Sequence, residues 1–324
     1  MEIKPLITDE VLQQYKDTCI KWDKVFQQLP MRAADDVLKY FTKVTKLRGK
    51  KRLGYINGKS QYAPFKKTRD SKSEVNFDFR EIETFHGNVV DHFSPVEFID
   101  LPFVYDDPVI GEAIKKAGIT FKVLALLAIA RGAGIAQTAI TGKRNADGDT
   151  TEDICDGLLT IADKEVEDGN ISAEKGNYIK FTDAVTNDNA VDIAKEIVFT
   201  NNPFLQRQHS LMFCSPEFKN KYNEAYLLTH HSVNYNKQYN QPFVEGSDDR
   251  LTLVSLPELA GQNRAIITNK ANLLCGVYND TDFTSVDVIR EGHYDLSMAS
   301  DIWLGFQFHT IDPRVFRYVE FAGE

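Results

Sequence analysis

The sequence predicts an α+β fold, and three features carry the prediction. Apolar residues recur at helical spacing in 9–29 and again across 107–139. Apolar and polar side chains alternate in 74–84. Strand-type segments crowd the chain after residue 250. No repeat, linker or low-complexity tract separates these parts, so one intertwined α+β unit is expected.

In the first helix Val11, Leu12, Tyr15, Cys19, Trp22 and Phe26 form the apolar stripe, with Thr8 as N-cap and Pro30 as the stop. A second helix is expected from Ala34, Val37, Leu38, Phe41 and Val44, closed by Gly49. From residue 53 the chain turns to extended pieces. Val75, Phe77 and Phe79 alternate with Glu74, Asn76 and Asp78, and the phase slips at Arg80 and Glu81 before Ile82 resumes it. This pattern predicts a long two-stranded arm with a bulge. Such an arm has too little apolar area to stand alone, so it must lie against something.

Asp107 and Pro108 open the next helical pattern as N-cap and first helical residue, and the pattern continues to about residue 139 as one long helix or two stacked ones. Strand-like pieces follow at 158–161 and 178–181, then a helix at 190–199, a strand at 210–214 and a helix at 216–228 that starts from Ser215 and Pro216. The segments LTLVSLP, RAIITNKANLLCGVY, TSVDVIREGHYDLSMASDIWLGFQF and RVFRYVEF read as strands.

Composition bounds the function. With 324 residues, 42% hydrophobic and 26% charged, the chain is neither disordered nor fibrous. Cys19, Cys155, Cys214 and Cys275 are scattered without a CxxC pair or a histidine at metal-ligand spacing, as expected of free thiols in a reducing compartment. The opening residues hold no signal segment, and the apolar run 123–130 is too short to span a bilayer, so synthesis in the cytoplasm and no membrane partner are expected.

Charge is distributed unevenly. Residues 40–80 hold 12 Lys or Arg against three acids, a local +9. The whole chain carries −9, which leaves −18 for the rest. A basic segment on an acidic body suits self-association, because each copy supplies both partners. Phosphate contacts need only cations, and Tyr55, Tyr62 and Phe65 offer faces for base stacking, so nucleic-acid binding by residues 46–70 stays open.

Sites for chemistry are sparse. GYINGKS (54–60) comes one residue short of a phosphate loop and is followed by proline rather than a helix, so it reads as part of a hairpin. Asn145, Asp147 and Asp149 occupy the first, third and fifth positions of a calcium-type loop, but Thr150 and Asp156 stand where glycine and glutamate are needed. A solvated acidic loop is the reading, with calcium left open. His230 and His231 are adjacent and point apart, and Glu165/Glu167 is an ordinary acid pair. No catalytic, cofactor-binding or metal-ligating residue is assigned, no cofactor is expected, and the chain is read as a non-enzyme.

The succession of parts resembles the tailed-phage major capsid protein family, the Hong Kong 97 type of fold. The resemblance rests on the helical start, the extended segment 46–90, DHFSPVEFIDLPFVYDDPVIGEAIKKAG leading into a long helix, EDICDGLLTIADKEVEDGNIS after it, and the closing VDVIREGHYDLSMASDIWLGFQFHTIDPRVFRYVEF. It implies an N-terminal arm (1–45), an extended hairpin or E-loop (46–90), a P-domain with a spine helix (91–185 and 281–324) and an A-domain (186–280). It further implies self-assembly through hexamers and pentamers into an icosahedral shell. That shell would enclose phage double-stranded DNA without sequence-specific binding, with a separate scaffolding protein and a portal as further partners. Localisation would be the virion, after a stage in the host cytoplasm. Within the E-loop, Lys59, Lys66, Lys67, Arg69 and Lys72 are the implied intersubunit contacts. An encapsulin-type bacterial shell protein has the same architecture and is the alternative.

Overall fold

The computed structural model describes residues 9–59, 62–68, 74–94, 119–230, 243–278, 287–291 and 295–322. The chain divides into two compact units, one of Met1–Arg48, Thr84–Ile161 and Cys275–Phe306, the other of Gly49–Glu83, Ala162–Leu274 and Gln307–Glu324.

In the first unit, α1 (Asp9–Ala33) packs on α3 (Ile119–Thr141). Tyr15, Cys19, Phe26 and Leu29 from α1 meet Phe121, Leu124, Ala125 and Ala128 from α3, and all are buried. By length and composition α3 could cross a membrane, but over half of its apolar stretch is buried in the fold, as befits a core helix. Pro30 does not stop α1: the helix bends at Trp22 and runs on to Ala33. A proline forfeits one intrahelical hydrogen bond. Gly132 of α3 lets this turn pack closely, since a Cβ at 132 would stand 2.7 Å from the Pro30 carbonyl oxygen.

The expected second helix is cut short. It is the single turn α2 (Asp35–Leu38), followed by a short strand β1 (Thr42–Val44). Ala34, Val37, Leu38 and Phe41 are buried as anticipated. The β-branched Thr42 and Val44 instead join β9 (Leu273–Val277) at the edge of a five-stranded sheet. Gly49 (φ +91) closes no helix and serves the turn into the next strand. The sheet runs β1-β9-β11-β10, with β4 (Phe85–Phe93) pairing antiparallel to β11 (Leu296–Phe308), and β10 spans Asp287–Arg290.

Residues 158–161 belong to a helix, α4 (Leu158–Glu167), not a strand. The four-residue apolar run was too short to settle the period, whereas Leu158, Leu159 and Ala162 bury at helical spacing. Asp107 and Pro108 lie outside the described residues, as does Thr8.

The second unit is built on a five-stranded mixed sheet in the order β5-β12-β8-β6-β7. Its strands are β5 (Tyr178–Ala184), β6 (Ser210–Cys214), β7 (Leu251–Ser255), β8 (Arg264–Thr268) and β12 (Phe316–Ala322). Around it lie α5 (Ala190–Thr200), α6 (Pro203–Arg207) and α7 (Pro216–His230). Val191, Ala194, Ile197 and Val198 of α5 and Phe218, Tyr222 and Ala225 of α7 share one core with Met212, Leu253, Ile267 and Val319. Ser215 caps α7 as expected, accepting from the Phe218 amide at 3.2 Å. Arg317 is buried on β12 and donates to Asn201 at the end of α5, where a cation suits the carboxyl end of a helix. Burial pushes its pKa below the ordinary value, with Glu196 opposing.

Candidate assembly interface

The remaining element of the second unit is the hairpin β2 (Lys50–Lys59) with β3 (Glu74–Glu83). Its antiparallel register is continuous from Lys50↔Glu83 to Lys59↔Glu74, so the expected bulge is absent. The phase change in the sequence has another cause: the two faces of the ribbon do different things.

One face is fastened to the hairpin's own unit. Asn57 donates to Asp312 at 2.7 Å, and His309 Nε2 lies 3.1 Å from the Gly54 carbonyl oxygen. The Arg80 guanidinium reaches Glu165 at 2.7 Å, Gln307 at 3.0 Å and the Phe308 carbonyl at 3.2 Å. Beside it Ile82 is fully buried. Burial opposes ionisation of Asp312, but hydrogen bonds and charge from Arg314 outweigh it and hold the carboxyl below the usual carboxylate range.

The opposite face is apolar and open. Ile56, Val75, Phe77 and Phe79 are 66%, 57%, 61% and 68% exposed. Register places Ile56 across from Phe77, with Gly58 across from Val75 and Gly54 across from Phe79. The result is a flat strip about 14 Å long at the strand rise of about 3.4 Å per residue. At its base the charges are matched, Arg52 with Glu81 at 3.0 Å and Lys50 with Glu83 at 3.3 Å.

Of the cations expected to make contacts, Lys66 and Lys67 lie exposed at the tip with Tyr62 and Phe65. Lys59 ends β2. Arg69 and Lys72 lie outside the described residues. Sequence reasoning did not single out the apolar strip. The signal was present as alternating Val75, Phe77 and Phe79 in an arm with little else to bury them.

The other sequence features resolve into structure. Residues 54–59 of the phosphate-loop-like segment are extended strand. In the acidic loop, Asp153 accepts from the Thr150 amide and hydroxyl, which lower its pKa, Asp156 accepts from the Arg144 amide, and Asn145 accepts from the Asp147 amide. The loop's oxygens thus cap their own backbone. Among the described residues no three His, Cys, Asp or Glu side chains converge as a metal site would require. Glu165 is engaged by Arg80 and Asn170, His230 ends α7, and His231 is outside the described residues. All four cysteines are buried, and desolvation raises the thiols of Cys155, Cys214 and Cys275, the last two to about 12. The first unit has a cleft of about 770 Å³ along which Arg131 pairs with Asp91 and Arg144 lies over the Phe85 ring.

No family model matches the chain, and no curated protein sequence is similar to it. Solved structures are. A chain of the satellite phage P4 procapsid superposes with a TM-score of 0.59 at 11% identity, covering 99% of this chain and 94% of that one. The capsid of an empty GTA particle gives 0.57 at 11% identity, covering 90% of each. The SrpI encapsulin of Synechococcus elongatus PCC 7942 gives 0.52 at 10% identity, covering 88% of this chain and 86% of that one. The chain therefore has the mixed helix-and-sheet fold of phage capsid proteins. That class of fold extends to an encapsulin.

Proposed function

We propose that the chain is a structural shell protein, a phage major capsid protein of the Hong Kong 97 type, which self-assembles through hexamers and pentamers into an icosahedral shell around double-stranded DNA. The observation that carries the reading is the correspondence with the P4 procapsid chain over nearly the whole length of both. In this reading the hairpin is the E-loop, α3 the spine helix, residues 91–185 and 281–324 the P-domain and 186–280 the A-domain. Assembly needs geometry rather than chemistry, so no catalytic role is assigned. A scaffolding protein and a portal complete the set of partners, and the finished protein resides in the virion after a stage in the host cytoplasm.

The hairpin acts between copies. Its apolar strip supplies contact area, and Lys59, Lys66, Lys67, Arg69 and Lys72 steer it onto the acidic body of a neighbour. Nucleic-acid binding by this segment is less well supported, because Lys50 and Arg52 are already tied to carboxylates.

The test is negative-stain electron microscopy with light scattering on the full chain, expressed with and without its neighbouring genes. Uniform shells or rings are expected, and a compact monomer under every condition overturns the reading. The encapsulin match favours a second reading, a bacterial shell packing an enzyme cargo. Neighbouring portal and terminase genes indicate the first, and a neighbouring cargo enzyme the second.

A further inference from the structure

We propose that a cavity between the end of α5, α6 and the sheet of the second unit binds a phosphate group through Arg207, Arg250 and the Ser210 hydroxyl. The inference goes beyond the shell reading and does not depend on it, because every group involved belongs to one unit of a single chain.

The cavity holds about 340 Å³, toward the lower end of the range of small-molecule pockets. Sheet register builds its floor. Arg317 of β12 stands across from Ile267 of β8, Ile267 across from Met212 of β6, and Ser210 of β6 beside Leu251 of β7. Paired residues point to one face of a sheet, as do residues two apart on a strand, so these side chains share a face. Ile267, Ser210 and Leu251 line the cavity there. Arg317 donates from Nη1 at 2.9 Å to Asn201, which is also part of the wall.

Two polar atoms at this floor are buried without a partner. Ser210 is 2% and Arg317 4% exposed, yet Ser210 Oγ and Arg317 Nε make no hydrogen bond. Buried polar groups are nearly always satisfied, so an orphan hydroxyl on a cavity wall leaves a hydrogen bond for a ligand oxygen to accept.

Charge identifies the ligand. Arg207 and Arg250 line the same cavity, and neither guanidinium has an ion-pair partner among the described residues. Other cations of this unit do: Lys195 meets Glu245 at 3.1 Å and Arg314 meets Asp312 at 2.9 Å. Asp248, exposed at the rim, is the one acid among the lining residues, and Glu196 favours the charged form of Arg317 from α5. Three guanidiniums thus face two carboxylates, and the excess is positive. The donors come from the end of α6, the start of β6 and the turn before β7. The three terminal oxygens of a phosphate can meet donors converging from three sides, whereas a planar carboxylate presents two.

The test is isothermal titration of the full-length subunit before assembly, with sodium phosphate and in parallel with ribose 5-phosphate, at an ionic strength held constant with NaCl. One phosphate per chain is expected, with binding roughly tenfold weaker or worse in Arg207→Gln/Arg250→Gln and in Ser210→Ala. The arginine variant should melt like the parent, since Arg207 is exposed and Arg250 only partly buried. Tighter binding of ribose 5-phosphate identifies the ligand as a phosphate monoester, and equal or weaker binding identifies it as free phosphate. No saturable heat with either probe, or unchanged affinity in either variant, overturns the inference and leaves the shell reading standing.

Discussion

Replacing Phe77 and Phe79 with serine separates an apolar contact from an electrostatic one. The two rings are 61% and 68% exposed, and Ile56 and Val75 add 66% and 57%. Fully burying such a side chain contributes about 1.5–3 kcal/mol, so covering the whole strip is worth about 4–8 kcal/mol and the two rings about 2–4 of that. At about 1.4 kcal/mol per decade, the double variant should raise the protein concentration needed for assembly roughly 30- to 700-fold. The subunit itself should keep its stability, because exposed substitutions of this kind usually change it by less than about 0.5 kcal/mol. Reversing Lys66, Lys67 and Arg69 to Glu should act more weakly and only at low salt. Exposed ion pairs contribute about 0–1 kcal/mol each, and charges are screened beyond about 8 Å at physiological ionic strength. The assay is light scattering against protein concentration at 50 and 500 mM NaCl, with thermal melting of the unassembled subunit as control. If the serine variant assembles like the parent while charge reversal abolishes shells at both salts, the apolar account of the hairpin is wrong.

Three other outcomes are expected. Gly132→Ala should lower the melting temperature by several degrees, because its methyl group drives into the Pro30 turn of α1; an unchanged melt would show that α1 and α3 separate without cost. A maleimide dye should label none of the four cysteines in the native chain and all four in denaturant, and rapid native labelling would contradict their burial. Asp312 and Glu320 both have pKa values held below the ordinary range, Asp312 chiefly by Arg314 against the cost of burial and Glu320 first by Tyr178 and then by Lys180. Their stabilisation is present above the unfolded-state pKa of about 4 and is lost as pH falls through the lower folded values. Urea midpoints should therefore drop below about pH 4, and the drop should be smaller in Asp312→Asn.

Much of the fold was legible because long periodic segments specify themselves. The stripe of α1, the apolar length of α3 and the caps of α7 leave few alternatives. Short segments did not. Residues 158–161 carry too few side chains to distinguish a period of 2 from 3.6, and Thr42–Val44 joins its sheet through strands more than 200 residues away in sequence. The hairpin was readable as a ribbon, but its register was not. Val75, Phe77 and Phe79 face away from the unit while Arg80 and Ile82 face into it, and a single strand's pattern cannot tell a change of face from a bulge. The exposed apolar strip escaped notice for a related reason. Charge is countable in a sequence, whereas exposure depends on what the other face of the ribbon is already holding.

The interior position of β12, between β5 and β8, bears on how the chain reaches this state. β5 pairs with no strand but β12 among the described residues, and Tyr178 finds Glu320 at a sequence separation of 142. Closing so long a loop before its contacts form slows this pairing. Until residues 316–322 arrive, β5 and one edge of β8 present unsatisfied backbone to whatever strand is nearby. In a cell making many copies at once, the nearest strand belongs to another unfinished copy. Slowing synthesis should then raise soluble yield more than any change to the finished surface, because the competition is decided by how many half-formed sheets coexist.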